Sequence, residues 1–421
     1  MRNRRNGGWL IGIGIVLGIT VLILLTWANF RYATENPGEN DFLVHWAGTR
    51  SFLVDGVSPY SDQAALNIQK LAYGRAALPG ENELRVAYPL YSIILFFPFA
   101  LFGDFVFARA LWMTVLEVCL FGMAVLSIRL VDWKPHLLVW VLFFIFSLFW
   151  YHALSPLING NAVIVVALLI TAAFWAIRAG ADELAGVLLA FATIKPQVVL
   201  LVIGFVIFYA AFNRRWRLIA WTLGTVAILS AAAAFLQPDW ILQNIQEVLR
   251  YPGYNPPGTP GAALSVAMPA AGQKLGWAIS ALVGFTLLIE WIAARNADFK
   301  GFLWTACLTL VLSQWSGIQT DPGNFIVVFP ALTMVLALLD DRWQRSGWLV
   351  STLLLLGLLI GLWWIFISTL TIENGRPQQS PVMFFPLPAV LGVMLIWVRW
   401  WAFHPANLWS TMLYDRQNPR L

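Results

Sequence analysis

Long apolar segments occur along almost the whole of this 421-residue chain, and they restrict the environment in which it can fold. Hydrophobic residues make up 60% of the sequence, whereas charged residues make up only 11%. A water-soluble protein of this length cannot bury so much apolar surface in its own core, so part of its surroundings must be lipid. Apolar runs of about 20 residues are typical of membrane-spanning helices. The sequence therefore predicts an all-α polytopic membrane protein.

About twelve segments are predicted to cross the membrane, and the whole chain, 1–421, is predicted to form a single integral membrane domain. The first segment, Trp9–Phe30, follows a basic start and is about twice as long as the apolar part of a cleavable signal peptide, so we expect it to be retained. The other segments are predicted at 105–128, 136–154, 161–178, 184–195, 196–212, 218–236, 274–294, 301–317, 322–340, 347–369 and 383–401.

Basic residues between these segments determine the predicted orientation, because such residues are enriched on the cytoplasmic side. Clusters such as Arg214-Arg215-Trp216-Arg217 face the inside if both termini are cytoplasmic. This orientation holds under two conditions. The run 88–103, with two prolines, must form a juxtamembrane or re-entrant hairpin, and 184–212 must cross twice. A break at Lys195-Pro196 favours the second condition, because proline removes a backbone donor.

Two large loops are then predicted on the outer side. The first outer loop, 31–104, is expected to carry juxtamembrane helices. The second, 237–273, contains a predicted short helix at 238–251, followed by a Pro- and Gly-rich stretch at 252–261 in which we expect no regular structure. A smaller outer loop precedes the last span.

The first outer loop contains the most informative polar residues. Asn40 is a suitable N-cap for a helix that begins at Asp41 and ends at Asp55-Gly56. In such a helix Asp41 and His45 lie one turn apart on the same face. A carboxylate beside an imidazole at the membrane surface is well placed for general-base catalysis. The alternative is that Asp41 only stabilises the helix N-terminus.

Five short motifs follow one another along the chain: Asp41-Phe42-x-x-x-Trp46-Ala47, Gly56-x-x-Pro59-Tyr60, Ala87-Tyr88-Pro89-Leu90, Asn159-Gly160-Asn161 and Ala185-Gly186…Lys195-Pro196. In this order they resemble glycosyltransferase family 87 of the GT-C superfamily, whose members use polyprenyl-phosphate sugars. Two positions depart from the family's pattern. Asn161 stands where the family has glutamine, and Gln319 stands where a histidine is common.

The resemblance implies a GT-C-like fold and a membrane glycosyltransferase, specifically a hexosyltransferase with mannose as the first choice of sugar. The donor would be a polyprenyl-phosphate sugar and the acceptor an extracytoplasmic glycolipid or polysaccharide. Asp41 matches the superfamily's catalytic carboxylate and would deprotonate the acceptor hydroxyl, with inversion at the anomeric carbon. No metal and no other cofactor is required by these motifs, and no nucleic acid is expected to bind. The resemblance and the predicted topology place the protein in the plasma membrane, with its active site on the outer face.

Lys195 is the second candidate for a role in this reaction. A lysine at membrane depth is costly and is usually functional, and its charge could stabilise the phosphate leaving group. The alternative is that Lys195 extends its ammonium group to the outer interface. Arg85, just before the Tyr-Pro segment, is a further candidate for the same phosphate.

Other polar residues on the predicted outer rim are candidates for binding substrate: His45, Tyr60, Tyr88, Asn159, Asn161, Gln319, Asp321 and Asn324. Amide side chains suit sugar hydroxyls because they offer both donors and an acceptor, although the same residues often only cap helices and form turns. Glu117 and Glu290 lie in apolar segments, where a carboxylate is either functional or paired within the bundle.

Two other functions stay open. A transporter or flippase of a lipid-linked glycan would have broken helices in both halves of the chain, and the sequence shows one clear break. A scaffold without catalytic activity would tolerate replacement of both Asp41 and Lys195.

Overall fold

A computed structural model describes residues 5–38, 41–255, 258–373 and 376–403 of the chain. Almost all regular structure in these residues is helical, and the β-structure that they contain is one pair of three-residue strands. The predicted all-α class is therefore confirmed.

The helices and strands follow one another along the chain with short connections. The α-helices are α1 (Arg5–Glu35), α2 (Asp41–Val54), α3 (Asp62–Tyr73), α4 (Ile93–Ala100), α5 (Phe105–Leu130), α6 (Leu137–Phe149), α7 (Tyr151–Asn159), α8 (Val163–Arg178), α9 (Asp182–Ala192), α10 (Pro196–Phe212), α11 (Trp216–Leu236), α12 (Trp240–Arg250), α13 (Pro260–Ala267), α14 (Gly272–Ala294), α15 (Phe299–Ser313), α16 (Phe329–Trp343), α17 (Gly347–Thr369) and α18 (Pro386–Phe403). Short 3-10 helices occur at Leu90–Ser92, Tyr251–Gly253, Pro322–Val328, Gln344–Ser346 and Pro381–Phe384. Strands β1 (Thr371–Glu373) and β2 (Arg376–Gln378) pair antiparallel.

In the part of the chain that the structure describes, seven segments are long and apolar enough to cross a membrane. They are Gly12–Glu35, Phe105–Leu130, Leu137–Asn159, Trp216–Leu236, Gly272–Ala294, Pro322–Thr369 and Pro381–Ala402. Four shorter apolar helices also occur, at Leu90–Ala100, Val163–Arg178, Pro196–Phe212 and Phe299–Ser313. The long segment Pro322–Thr369 contains both α16 and α17, which are separated by a positive φ of 42° at Gln344. These segments support a membrane protein, while twelve crossings and cytoplasmic termini stay predictions.

Helix α1 extends to Glu35, five residues past the predicted end of the first apolar segment, and the bounds of the first outer loop stay a prediction. The helix predicted from Asp41 is confirmed as α2, and Gly56 follows it with a φ of +64°. Its proposed N-cap, Asn40, lies outside the described residues. The loop carries α2, α3 and α4, as the prediction of helices in this loop required.

In place of the predicted hairpin, the segment 88–103 forms a 3-10 helix at Leu90–Ser92 that continues into α4. That the segment does not cross the membrane stays a prediction. Two side chains of α2 complete the C-terminal end of α4. The Trp46 indole N–H donates to the Phe99 carbonyl at 3.1 Å, and Arg50 Nη1 donates to the Ala100 carbonyl at 3.0 Å. The carbonyls at a helix end need such partners, so α4 can stop here without a second arm.

The break predicted at Lys195-Pro196 is confirmed. Helix α9 ends at Ala192 and α10 begins at Pro196. Proline suits this position, because the N–H groups of the first helical turn have no partner within the helix and proline has no N–H to leave unpaired. Helix α9 has 11 residues and is therefore about 16 Å long, roughly half of the hydrocarbon thickness. Two crossings by 184–212 accordingly stay a prediction.

The second outer loop contains the predicted short helix as α12, but the irregular stretch predicted to reach residue 261 ends early. Helix α13 begins at Pro260, because the Thr259 hydroxyl accepts a hydrogen bond from the Ala262 N–H and proline suits the first helical position. The strand pair β1–β2 in the smaller outer loop was not predicted; there Ile372 lies opposite Pro377.

The chain divides into two compact units. Unit 1 comprises Met1–Val118, Leu157–Ala162 and Ala233–Asn255, and unit 2 comprises Cys119–Pro156, Val163–Ala232 and Pro256–Leu421. Unit 1 therefore contains the first outer loop together with α12, whereas unit 2 contains Lys195 and Gln319.

A glycine in α9 sets how closely that helix approaches α11. A Cβ added at Gly186 would lie 2.7 Å from the Trp221 Cβ and 2.8 Å from the Thr222 backbone nitrogen. We expect Gly186→Ala to destabilise the protein by about 1–3 kcal/mol through overpacking, and to lower its melting temperature in detergent. Gly224→Ala in α11 is the matched control, because a Cβ at Gly224 meets nothing within 4 Å. Equal melting temperatures for the two variants would contradict the close packing.

Candidate functional site

The carboxylate predicted as the catalytic base lies at the start of α2 and is held by an amide. Asp41 is half-buried, and the Asn161 Nδ2 donates to its Oδ2 at 2.6 Å. Asn161 itself is only 6% exposed. The two residues stand 120 positions apart in the sequence, so the fold brings together two of the predicted site residues.

Gly160 is what allows Asn161 to approach Asp41. Gly160 has a φ of +63°, which favours glycine, and a Cβ at this position would lie 2.5 Å from the Phe42 Cβ. The Trp112 indole N–H donates to the Gly160 carbonyl at 2.7 Å and fixes the turn. The Asn-Gly-Asn sequence is therefore needed for its backbone shape as well as for its amide.

An aromatic cluster supports α2 behind the carboxylate. His45 is buried and lies between two rings, with centroid distances of 3.9 Å to Tyr88 and 4.8 Å to Phe96. Phe42 stacks on Trp112, with the ring centroids 5.6 Å apart and an interplanar angle of 11°. His45 is thus one turn after Asp41, as predicted, and its ring helps to pack α2 on the Tyr-Pro segment.

The backbone of the Tyr-Pro segment is fixed by side chains from two directions. The Tyr60 hydroxyl donates to the Tyr88 carbonyl at 2.7 Å. From α12, Asn244 Nδ2 donates to the same carbonyl at 3.1 Å and to the Ala87 carbonyl at 3.0 Å. Tyr60, which was predicted to bind substrate, therefore uses its hydroxyl to fix the backbone of this segment.

The phenol of Tyr88 is kept protonated by its surroundings. Burial raises the pKa of Tyr88 well above its usual value, and the nearby negative charge of Asp41 raises it further. Burial likewise raises the pKa of Tyr60. Tyr88 accordingly lies close enough to Asp41 to respond to its charge, and it retains a hydroxyl proton at any physiological pH.

Arg85 is a structural cation that joins the first outer loop to α12. Its Nε donates to Glu247 Oε2 at 2.7 Å, and its Nη2 donates to Glu247 Oε1 at 3.0 Å and to Asp62 Oδ1 at 2.7 Å. Burial lowers the pKa of Arg85, but the hydrogen bonds to Glu247 and Asp62 raise it above its usual value. Because two carboxylates already neutralise this guanidinium, its contacts do not support the predicted phosphate-binding role, which stays untested.

Unit 2 contains the second predicted cation. Lys195 occupies the residue before α10 and is only 4% exposed. It lies close enough to Asp321 to act on that carboxyl: burial raises the pKa of Asp321, whereas the Gly323 N–H and the positive charge of Lys195 lower it. Asp321 Oδ1 accepts from the Gly323 N–H at 2.6 Å.

Two buried polar atoms close to Asp321 in the sequence lack a hydrogen-bond partner in the described part of the chain. Within the described residues, the Gln319 Nε2 and the Asn324 Oδ1 have no hydrogen-bond partner, although Asn324 Nδ2 donates to Thr320 Oγ1 at 3.1 Å. His152 was not among the predicted site residues. Its Nδ1 lies 2.8 Å from the Pro322 carbonyl oxygen in the same unit. A histidine inside an apolar helix was the signal that could have identified it.

The remaining candidates are exposed or paired. Asn159 ends α7 and is exposed. The Asn29 amide donates to Glu117 Oε2 at 3.0 Å, and Arg399 binds Glu290 through two contacts of 2.8 Å. The two glutamates therefore follow the alternative in which a carboxylate is paired within the bundle. Among the described residues, no three His, Cys, Asp or Glu side chains form a group that could hold a metal ion.

The comparisons with known proteins identify one family. The model of glycosyltransferase family 87 matches residues 87–314, which are more than half of the 421 residues. The matched range contains the Tyr-Pro segment, the Asn159-Gly160-Asn161 turn and Lys195, and it begins after Asp41. No curated protein and no solved structure matches the chain. The predicted family is therefore confirmed, and three of the five motifs lie inside the matched range.

The Arg85 contacts predict different effects for its two acidic partners. Glu247→Gln should destabilise unit 1 by about 3 kcal/mol, because it leaves a buried guanidinium without its main partner, the Glu247 side chain being 6% exposed. Asp62→Asn is the control and should change stability by less than about 1 kcal/mol, because the Asp62 side chain is 88% exposed. Thermal unfolding and protease cleavage of the first outer loop measure both effects. Similar losses of stability in the two variants would show that burial does not determine how strongly each carboxylate stabilises Arg85.

Proposed function

The chain belongs to glycosyltransferase family 87, and from this premise we propose that it transfers a hexose from a polyprenyl-phosphate donor to an extracytoplasmic acceptor. Mannose is the proposed sugar, and a hydroxyl group of a glycolipid or polysaccharide is the proposed acceptor. The observation that carries this proposal is the contact between Asp41 and Asn161, which fixes a carboxylate at the start of the first outer loop.

Asp41 is proposed to act as the general base. The Asn161 hydrogen bond holds the carboxylate in one orientation, and the packing of Phe42 and His45 holds the helix that carries it. As the acceptor oxygen attacks the anomeric carbon, its proton passes to Asp41. The bond between that carbon and the lipid phosphate oxygen breaks on the opposite side, so the configuration inverts. General-base catalysis of this kind contributes about 10²–10⁴-fold to a rate.

Lys195 is proposed to stabilise the departing lipid phosphate. The leaving group gains negative charge as the glycosidic bond breaks, and a fixed ammonium group favours that charge more strongly in a buried site than in water. The low exposure of Lys195 supports this role, and so does its placement near the Asp321 carboxyl, whose pKa is lowered by the positive charge of Lys195. The protein would act in the plasma membrane, with this chemistry on the outer face.

Asp41→Asn should abolish sugar transfer while leaving the protein folded, because asparagine keeps an acceptor oxygen for the Asn161 amide but cannot take a proton. The measurement is transfer of radiolabelled mannose from polyprenyl-phosphate-mannose to a membrane lipid extract, with the protein in nanodiscs. Asp55→Asn is the matched control, because Asp55 follows α2 directly and is exposed. We expect the control to keep wild-type activity.

Full activity of Asp41→Asn would overturn its assignment as the base. Movement of a lipid-linked glycan across vesicles by the wild type, without any transfer product, would instead favour the transporter or flippase alternative.

Lys195→Met should lower the maximal transfer rate about 10²-fold or more, because it removes the charge that stabilises the leaving phosphate and keeps the side-chain length. Initial rates measured over a range of donor concentrations test this. Lys274→Met in the first turn of α14 is the control, since Lys274 is exposed. A wild-type rate for Lys195→Met would favour the alternative in which Lys195 only reaches to the membrane interface.

A further inference from the structure

Helix α12 is amphipathic, but its polar side faces the protein. Asn244 binds the carbonyls of Ala87 and Tyr88, and the buried Glu247 binds Arg85. Closer to the helix start, Gln243 accepts a hydrogen bond from the Ser58 hydroxyl at 2.7 Å. The polar side chains Gln243, Asn244 and Glu247 of α12 therefore form hydrogen bonds with the first outer loop.

The other side of α12 is apolar and exposed. Five large aliphatic side chains of this 11-residue helix have between 50% and 76% of their surface uncovered by unit 1: Ile241, Leu242, Ile245, Val248 and Leu249. At 100° per residue these five fall within one continuous arc of the helix. In a soluble protein such an arc faces the core, whereas here it faces away from the unit that holds the helix.

The position of α12 in the chain indicates what covers this arc. Helix α11 is a candidate membrane span that ends at Leu236, and only three residues separate it from α12. The last two residues of α11, Phe235 and Leu236, are 90% and 62% exposed. The apolar surface thus continues from the end of a membrane span onto α12, so α12 begins at the membrane surface.

We propose that α12 is an interfacial helix that lies in the outer membrane surface, with its aliphatic arc among the lipid acyl chains. A lipid surface fits this arc because it needs no matching shape and accepts aliphatic side chains along the whole helix. Gln246 and Arg250 are exposed beside the arc, where polar side chains meet the head-group region. The proposal does not depend on the chemistry proposed for Asp41 and Lys195.

A lipid-anchored α12 also holds the first outer loop at a constant depth. Asn244 of α12 donates a hydrogen bond to the Tyr88 carbonyl, and the Tyr88 ring packs on His45 in α2. The membrane surface, α12, the Tyr-Pro segment and α2 are therefore in continuous contact. A helix in lipid can support the start of α2 without a further protein partner.

Nitroxide labels on α12 test the proposal in the whole protein. Leu242→Cys, Leu249→Cys and Gln246→Cys are made separately in a Cys119→Ala background, with the buried Cys307 left in place. Each variant is labelled and placed in phosphatidylcholine–phosphatidylglycerol nanodiscs. Power saturation of the electron paramagnetic resonance signal then gives the accessibility of each label to oxygen, which concentrates in lipid, and to a water-soluble nickel chelate.

The expected result is high oxygen and low nickel accessibility at 242 and 249, with a clear shift towards nickel at 246. High nickel accessibility at 249 would overturn the proposal, because it would place the arc in water. Low accessibility to both reagents at 242 and 249 would also overturn it, because another protein surface would then cover the arc. All three positions are exposed, so the labels should leave the fold intact, and a melting curve of each labelled variant checks this.

Discussion

The candidate active site of unit 1 depends on the close approach of one backbone turn to α2. Gly160 passes so near to Phe42 that a side chain there would overlap it, and this approach places the Asn161 amide on the Asp41 carboxylate. The Trp112 indole fixes the turn from one side and stacks on Phe42 from the other. Catalytic geometry and aromatic packing are therefore not separable here. A change that loosens the rings also moves the amide that orients the carboxylate.

Local sequence signals predicted those features whose causes are local. Asp41 and His45 occur at helical spacing before Asp55-Gly56, and α2 follows them closely. The Lys195-Pro196 break depends on the backbone chemistry of one dipeptide, and it too was predictable. The same reasoning misjudged Pro260, which was interpreted as a residue that prevents regular structure, whereas a proline after Thr259 is well suited to begin a helix.

Features whose causes lie far away in the sequence could not be predicted from one segment. Arg85 was predicted as a candidate phosphate ligand, and its contact with Glu247 could not be predicted because the two residues are 162 positions apart. The end of α4 depends on Trp46 and Arg50, which no pattern within 88–103 could indicate. The paired strands β1 and β2 are a different case, because the sequence between them contains Asn374-Gly375, a dipeptide that commonly indicates a hairpin.

The contact between Arg85 and Glu247 has a consequence for the order in which the chain can assemble. At a synthesis rate of about 5–20 residues per second, Glu247 emerges roughly 10–30 s after Arg85. During this interval the helix that completes the first outer loop has not yet been made. The nascent loop therefore exposes a cation and an unsupported Tyr-Pro segment. The Tyr-Pro segment beside Asp41 thus gains its support from Asn244 only after α12 has been translated, even though Asp41 is translated early.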